Sequence, residues 1–182
     1  MNLNKLSEFP APKPDILSTF KFLDQTDETV NWKTYTNPNF KFTVKYPPDW
    51  ASFQIKNNTN IFIIGFGQIG AKDYKGDPFS TINIVVKEDP NPKLIDLEKI
   101  SETAGMEDLM GSFKVDKYVN WSDTTVDGIK AKRAHHLYCQ SGSCHNVLFI
   151  KDSKIYGITI NQGEEDLLKI FDEMTSTFKF LN

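Results

Sequence analysis

Asn39-Phe40-Lys41-Phe42-Thr43-Val44-Lys45-Tyr46-Pro47-Pro48 is the stretch on which the fold class turns. Phe40, Phe42, Val44 and Tyr46 alternate with Lys41, Thr43 and Lys45, a period of two that places the apolar side chains on one face of a strand and the polar ones on the other. Pro47-Pro48 cannot donate to a β-ladder and ends the strand before Trp50. Outward from this segment, residues 60–66 and 81–86 are apolar, β-branched runs suited to central strands. Strand patterns return at 113–119, 129–139, 146–151 and 154–160, and Asp127-Gly128 and Asp152-Ser153 sit where tight hairpin turns belong. Two stretches carry helical spacing instead. One lies between Pro92 and Gly111, with Leu97, Ile100, Ala104 and Leu109 on a face. The other begins at Glu164, Glu165 and Asp166, acids suited to a first helical turn, and continues as an apolar stripe of Leu167, Ile170, Phe171, Met174 and Phe178. Hairpin-linked strands with two separated helices predict an α+β fold, an antiparallel sheet covered by helices.

The 182 residues suffice for one domain with a substantial core, and 39% hydrophobic with 25% charged residues fits a packed chain. A net charge of −3 argues against a nucleic-acid surface, and with 20 lysines to one arginine the chain lacks the guanidinium forks common at phosphate sites. No apolar run is long enough to span a bilayer. Residues 1–14, with Pro10, Pro12 and Pro14, read as a linker. Ser18-Thr19-Phe20-Lys21-Phe22-Leu23 then reappears unchanged as Ser176-Thr177-Phe178-Lys179-Phe180-Leu181. Nothing between the copies repeats, so a short-period solenoid is excluded. The simplest division makes 1–29 a linker plus the closing segment of a preceding repeat, and 30–182 one whole unit of a tandem chain.

Gly65-Phe66-Gly67-Gln68-Ile69-Gly70 matches the dinucleotide-binding glycine pattern, with Glu88 near where a ribose-binding acid would sit. That chemistry needs a helix starting at the third glycine to hold the pyrophosphate on its N-terminal amides. The residues from Ala71 to Pro78, interrupted by Gly76, leave no room for one before the next strand. The pattern therefore predicts a glycine-rich turn, and Gly65, Phe66, Gly67, Gln68, Gly70 and Tyr74 form a candidate binding loop on a rigid scaffold. Asp73, Asp77 and Glu88 carry oxygens of the type calcium takes, without a recognisable loop spacing.

His135, His136, Cys139, Cys144 and His145 cluster within one hairpin. On a strand His135 and Cys139 share a face and His136 takes the other, so one set of zinc ligands is conceivable, with His145 less easily recruited beside Cys144. The cysteines flank Gln140-Ser141-Gly142-Ser143, and a disulfide across the hairpin, free thiols and zinc all remain open. A Cys139–Cys144 disulfide would assign the chain to an oxidising compartment. A cysteine nucleophile with a neighbouring histidine lacks a helix N-terminus to lower its pKa. No catalytic residue, cofactor or metal is expected.

Trp32-Lys33-Thr34-Tyr35-Thr36-Asn37, then residues 39–47 leading to Trp50, and finally Ile170-Phe171-Asp172-Glu173-Met174 before Ser176-Thr177-Phe178-Lys179-Phe180, resemble the PsbP family and its bacterial DcrB-like relatives over roughly residues 31–181. The resemblance implies an α/β/α sandwich around a central antiparallel sheet, with no shared catalytic residues. It further implies bacterial relatives that are lipoproteins or membrane-tethered modules outside the cytoplasm. The expected function is a non-catalytic extracytoplasmic accessory or protein-binding module, tethered to a membrane beyond these residues. A zinc protein or metal-dependent hydrolase centred on the 135–145 hairpin, and an intracellular partner-binding domain of the same fold, are its rivals.

Overall fold

The computed structural model describes residues 28–57, 60–73, 75–88, 119–139, 142–160 and 163–182, with backbone alone at 119–120, 135–139 and 142–144. Ten strands and one helix are present among them: β1 (Lys33–Asn37), β2 (Phe42–Tyr46), β3 (Trp50–Asn57), β4 (Ile61–Gln68), β5 (Ile82–Glu88), β6 (Val119–Val126), β7 (Ile129–Cys139), β8 (Gly142–Lys151), β9 (Lys154–Ile160), α1 (Glu165–Thr177) and β10 (Lys179–Phe180). Seven strands form one sheet in the order β3-β4-β5-β9-β8-β7-β6, and β1-β2-β10 form a second, smaller one. All pairings are antiparallel. The α+β expectation therefore holds, with a large antiparallel sheet and one helix. The small sheet is an addition: the alternating segment that indicated a strand lies in β2, outside the main sheet. The helix expected between Pro92 and Gly111 and most of the 113–119 strand lie outside the described residues.

Pleat alternation builds the core. Ile82, Ile84 and Val86 of β5, Tyr156, Ile158 and Ile160 of β9, and Phe62, Ile64 and Phe66 of β4 project to one face of the large sheet and belong to one buried cluster. Phe42 and Val44 of β2 and Phe171 and Met174 of α1 pack into that same cluster, so the small sheet and the helix cover the same face. On the opposite parity Val85, Leu148, Ala134 and Ile155 are also buried, so the second face of the central strands is closed as well. This explains why β5 and β9 read as near-continuous apolar runs.

The helix follows its sequence signals. Glu165 and Asp166 occupy its first turn, and Leu167, Leu168 and Ile170 flank the buried Phe171 and Met174. At its end Thr175, Ser176 and Thr177 donate their hydroxyls back to the carbonyls of Phe171, Glu173 and Met174. Thr177 Oγ1 also accepts the Lys45 amide at 3.0 Å, tying the helix end to β2. Phe178 then enters the core, stacked on Phe42 with ring centroids 5.0 Å apart and edge-on to Phe149 at 5.2 Å. The Asp127-Gly128 and Asp152-Ser153 turns hold both residues at positive φ, the geometry that suits two-residue hairpins.

Candidate functional site

The candidate glycine segment divides in two. Gly65, Phe66, Gly67 and Gln68 belong to β4, not to a turn, and Gly65, Phe66 and Gly67 are buried. The glycines serve close packing: a Cβ at Gly65 would come within 2.7 Å of Ser80 Oγ and 2.8 Å of Ile55 Cδ1, and one at Gly67 would collide with the Phe79 carbonyl oxygen. The connection itself begins at Ile69 and folds back on itself, Phe79 N–H donating to the Ala71 carbonyl at 3.0 Å and Lys72 bridging Pro78. Gly70 and Gly76 take positive φ there, and Tyr74 lies outside the described residues. β4 and β5 pair antiparallel across this connection, so no crossover helix follows the glycines.

Asp73 Oδ1 accepts the backbone N–H groups of Lys75 and Asp77, and Glu88 sits at the end of β5, 3.6 Å from Lys154. The first carboxylate thus caps its own turn and the third serves another hairpin. Among the described residues no three His, Cys, Asp or Glu side chains are grouped to hold a metal ion.

For the His/Cys hairpin the backbone gives the register: His135 opposite His145, His136 opposite Cys144, and Cys139 opposite Gly142, with an irregularity between His136 and Cys139. Cys139 and Cys144 are therefore not directly opposed, and a bridge between them would run diagonally across the bulged end. Their side chains, with those of His135 and His136, lie outside the described residues.

A feature that sequence reading missed lies between the two sheets. The turn entering β2, the β8–β9 turn and the end of β10 border a half-open cavity of about 260 Å³ lined by Asn39, Phe40, Lys41, Lys151, Asp152, Lys154, Tyr156, Phe180 and Leu181. Its position follows from backbone anchoring. Leu181 N–H donates to the Lys41 carbonyl at 2.7 Å, and Phe180 pairs with Phe42. Asp127, from the β6–β7 turn, accepts the Phe180 N–H at 2.9 Å and the Lys179 ammonium at 3.0 Å. These bonds hold the Asp127 carboxyl below its ordinary pKa, the Phe180 amide first and Lys179 next.

Tyr156 and Phe180 meet edge-on at 5.1 Å in the wall of the cavity. Burial, followed by the charges of Asp152 and Glu88, pushes the Tyr156 phenol up to about 12, so it stays neutral throughout the physiological range. The Lys151 ammonium stands 4.2 Å from the Phe180 ring centroid. The parts are scattered over residues 39–41, 151–156 and 180–181, so no local motif announces the cavity. The one legible trace was the strand-turn-strand pattern that brings Lys151, Asp152 and Lys154 together.

No family model matches the chain, and no curated protein does. Solved structures do. The cyanobacterial PsbP protein CyanoP of Synechocystis sp. PCC 6803 superposes with a TM-score of 0.53 at 13% identity, over 81% of this chain and 91% of that one. The yeast Ran-binding protein Mog1p of Saccharomyces cerevisiae gives 0.45 at 12% identity, over 84% and 96%. A protein from Bacteroides thetaiotaomicron gives 0.47 at 13% identity, over 83% of this chain and 49% of that one. The resemblance to the PsbP fold is thus found in the structure, at a sequence identity that speaks to the fold alone.

Proposed function

We propose that this chain is a non-catalytic binding module of PsbP-like type, a three-layer α/β/α sandwich acting outside the cytoplasm as one unit of a tandem, membrane-tethered protein. The observation that carries the binding role is the cavity between the sheets: an aromatic floor and a lysine rim offer contact surface and charge, without an arranged nucleophile and base. Three acidic side chains elsewhere are held in ion pairs. Asp172 pairs with Arg133 at 2.6 Å, Asp123 with Lys132 at 2.7 Å, and Glu28 with Lys169 at 2.6 Å. The likeness to CyanoP supplies the fold, and the extracytoplasmic reading leans on two cysteines at one hairpin tip.

One rival is kept on the register of that hairpin: His135 stands opposite His145 and His136 opposite Cys144, but the two pairs take opposite faces of the sheet, so neither face gathers four zinc ligands from the hairpin alone. Intact mass after thiol alkylation without reductant, with metal analysis of the same sample, separates the readings. Blocked alkylation at both cysteines, relieved by reductant, supports the exported module. Two reactive thiols without metal overturn the compartment in favour of an intracellular partner-binding domain, and stoichiometric zinc moves the function to the hairpin.

A further inference from the structure

The cavity stands out electrostatically in a chain whose net charge is −3. Three lysines, Lys41, Lys151 and Lys154, are among its lining residues, with a single acidic residue, Asp152. Lys154 shares its charge with Glu88 at 3.6 Å. Lys151 is set over the Phe180 ring, and its charge also acts on the nearby Asp127 carboxylate. Lys41 is notable for its backbone as well: its φ is 51°, a left-handed conformation in which Gly or Asn is the lower-energy residue. The exposed lining is mainly polar, with a smaller apolar share from Phe40, Phe180 and Leu181, each exposed in part, and Tyr156 behind them.

We propose that this cavity docks an acidic segment of a partner protein, an apolar side chain of the segment resting on Phe40 and Phe180 while flanking carboxylates meet Lys41, Lys151 and Lys154. The inference rests on the binding-module reading and names the chemistry of its partner. Size favours a peptide: at about 260 Å³ the site falls just below the roughly 300–1,000 Å³ of small-molecule pockets. That room suits one or two side chains of a longer chain. The floor is held firm by the Asp127 bonds to β10, so docking requires little reordering.

Fluorescence anisotropy with the labelled peptide Asp-Glu-Phe-Asp-Glu, its neutral counterpart Asn-Gln-Phe-Asn-Gln and the alanine version Asp-Glu-Ala-Asp-Glu tests the proposal. The acidic phenylalanine peptide is expected to bind about tenfold tighter than the neutral one and to weaken as ionic strength rises. The alanine version is expected to bind several-fold more weakly, losing the contact with the aromatic floor. Lys41→Asn keeps a residue that tolerates the left-handed backbone, so it and Lys151→Gln are expected to reduce affinity by about two- to fivefold each with the fold intact. Equal binding of acidic and neutral peptides, or unchanged affinity in both lysine variants, overturns the proposal. Inorganic phosphate that binds alone and displaces the peptide at millimolar concentration assigns the site to a small anion and overturns it too. So does lysine-dependent binding to phosphatidylserine-containing vesicles without peptide binding. The thiol measurement is independent: reactive cysteines with intact peptide binding would remove the exported compartment and leave the docking site standing.

Discussion

A methyl group added at Gly67 would be driven into the carbonyl oxygen of Phe79, part of a backbone that returns to β5 and cannot rotate aside. One added at Gly65 meets Ser80 Oγ and Ile55 Cδ1, the ends of side chains that can move. Gly67→Ala is therefore expected to destabilise by about 2–3 kcal/mol and Gly65→Ala by less than about 1 kcal/mol, a difference that urea unfolding of the two variants reads directly. If the costs come out equal, close backbone approach is the wrong account of the glycine pair. Tyr156 makes a second residue-level prediction. Its phenol ionises at about 12 in the folded chain against the ordinary 10. The folded state thus holds this proton more tightly, and the associated stability is fully present below pH 10 and lost as pH rises to about 12. Tyr156→Phe should flatten the decline between pH 10 and 12, leaving the smaller parts due to Tyr35, raised by burial, and Lys169, raised by its bond to Glu28. An undiminished decline in the variant would assign it to other groups.

β10 is only two residues long, and its position depends on contacts outside its own ladder. Asp127 supplies two of these, and its depressed carboxyl pKa fixes the sign of the pH dependence. The stabilisation is present above the ordinary carboxylate range and is lost as pH falls through the lowered value. Asp127→Asn keeps a residue that tolerates the turn's φ of 50° while removing the charge. Amide exchange at Phe180 is expected to quicken by up to about tenfold in this variant, with little change in the β5 and β9 amides. Unchanged exchange at Phe180 would show that the strand is held without Asp127. Elements of this marginal kind are also the ones that sequence reading misses. β7 and β9 were legible to the residue, β2, β4, β5 and α1 closely so and β8 from Asn146 onward, because each carries its own run, alternation or stripe beside turn residues. β1, β3, β6 and β10 were not: Lys33–Asn37 and Val119–Val126 are edge strands of polar composition, ordered by the neighbour they pair with. Gly65 and Gly67 drew the glycine segment into a loop because a backbone contact with Phe79, remote in the pattern, cannot be read from spacing. The lysine cavity was illegible for the same reason, its walls coming from three separate stretches.

At the scale of the molecule, the repeated hexapeptide acquires physical content. Ser176-Thr177-Phe178-Lys179-Phe180-Leu181 ends α1 with hydroxyl-to-carbonyl bonds, inserts Phe178 between Phe42 and Phe149, adds β10 to β2 and closes on the Lys41 carbonyl. One folded unit has one such closure, and residues 176–181 supply it here. On the tandem reading proposed above, the identical Ser18–Leu23 would close another unit in the same way. This predicts a sharp asymmetry between two equal substitutions. Phe178→Ala removes a fully buried ring and should cost about 3–5 kcal/mol, enough to unfold a unit of marginal stability. Phe20→Ala alters the same residue in the same hexapeptide and should leave the unfolding midpoint of this unit unchanged. Guanidinium unfolding of the two variants decides the matter. A comparable loss at Phe20 would mean that residues 18–23 are packed within this unit, and the boundary at residue 30 would have to move toward the N-terminus. A silent Phe20 beside a severe Phe178 would mean that the two copies, though identical in sequence, differ in having a core to enter.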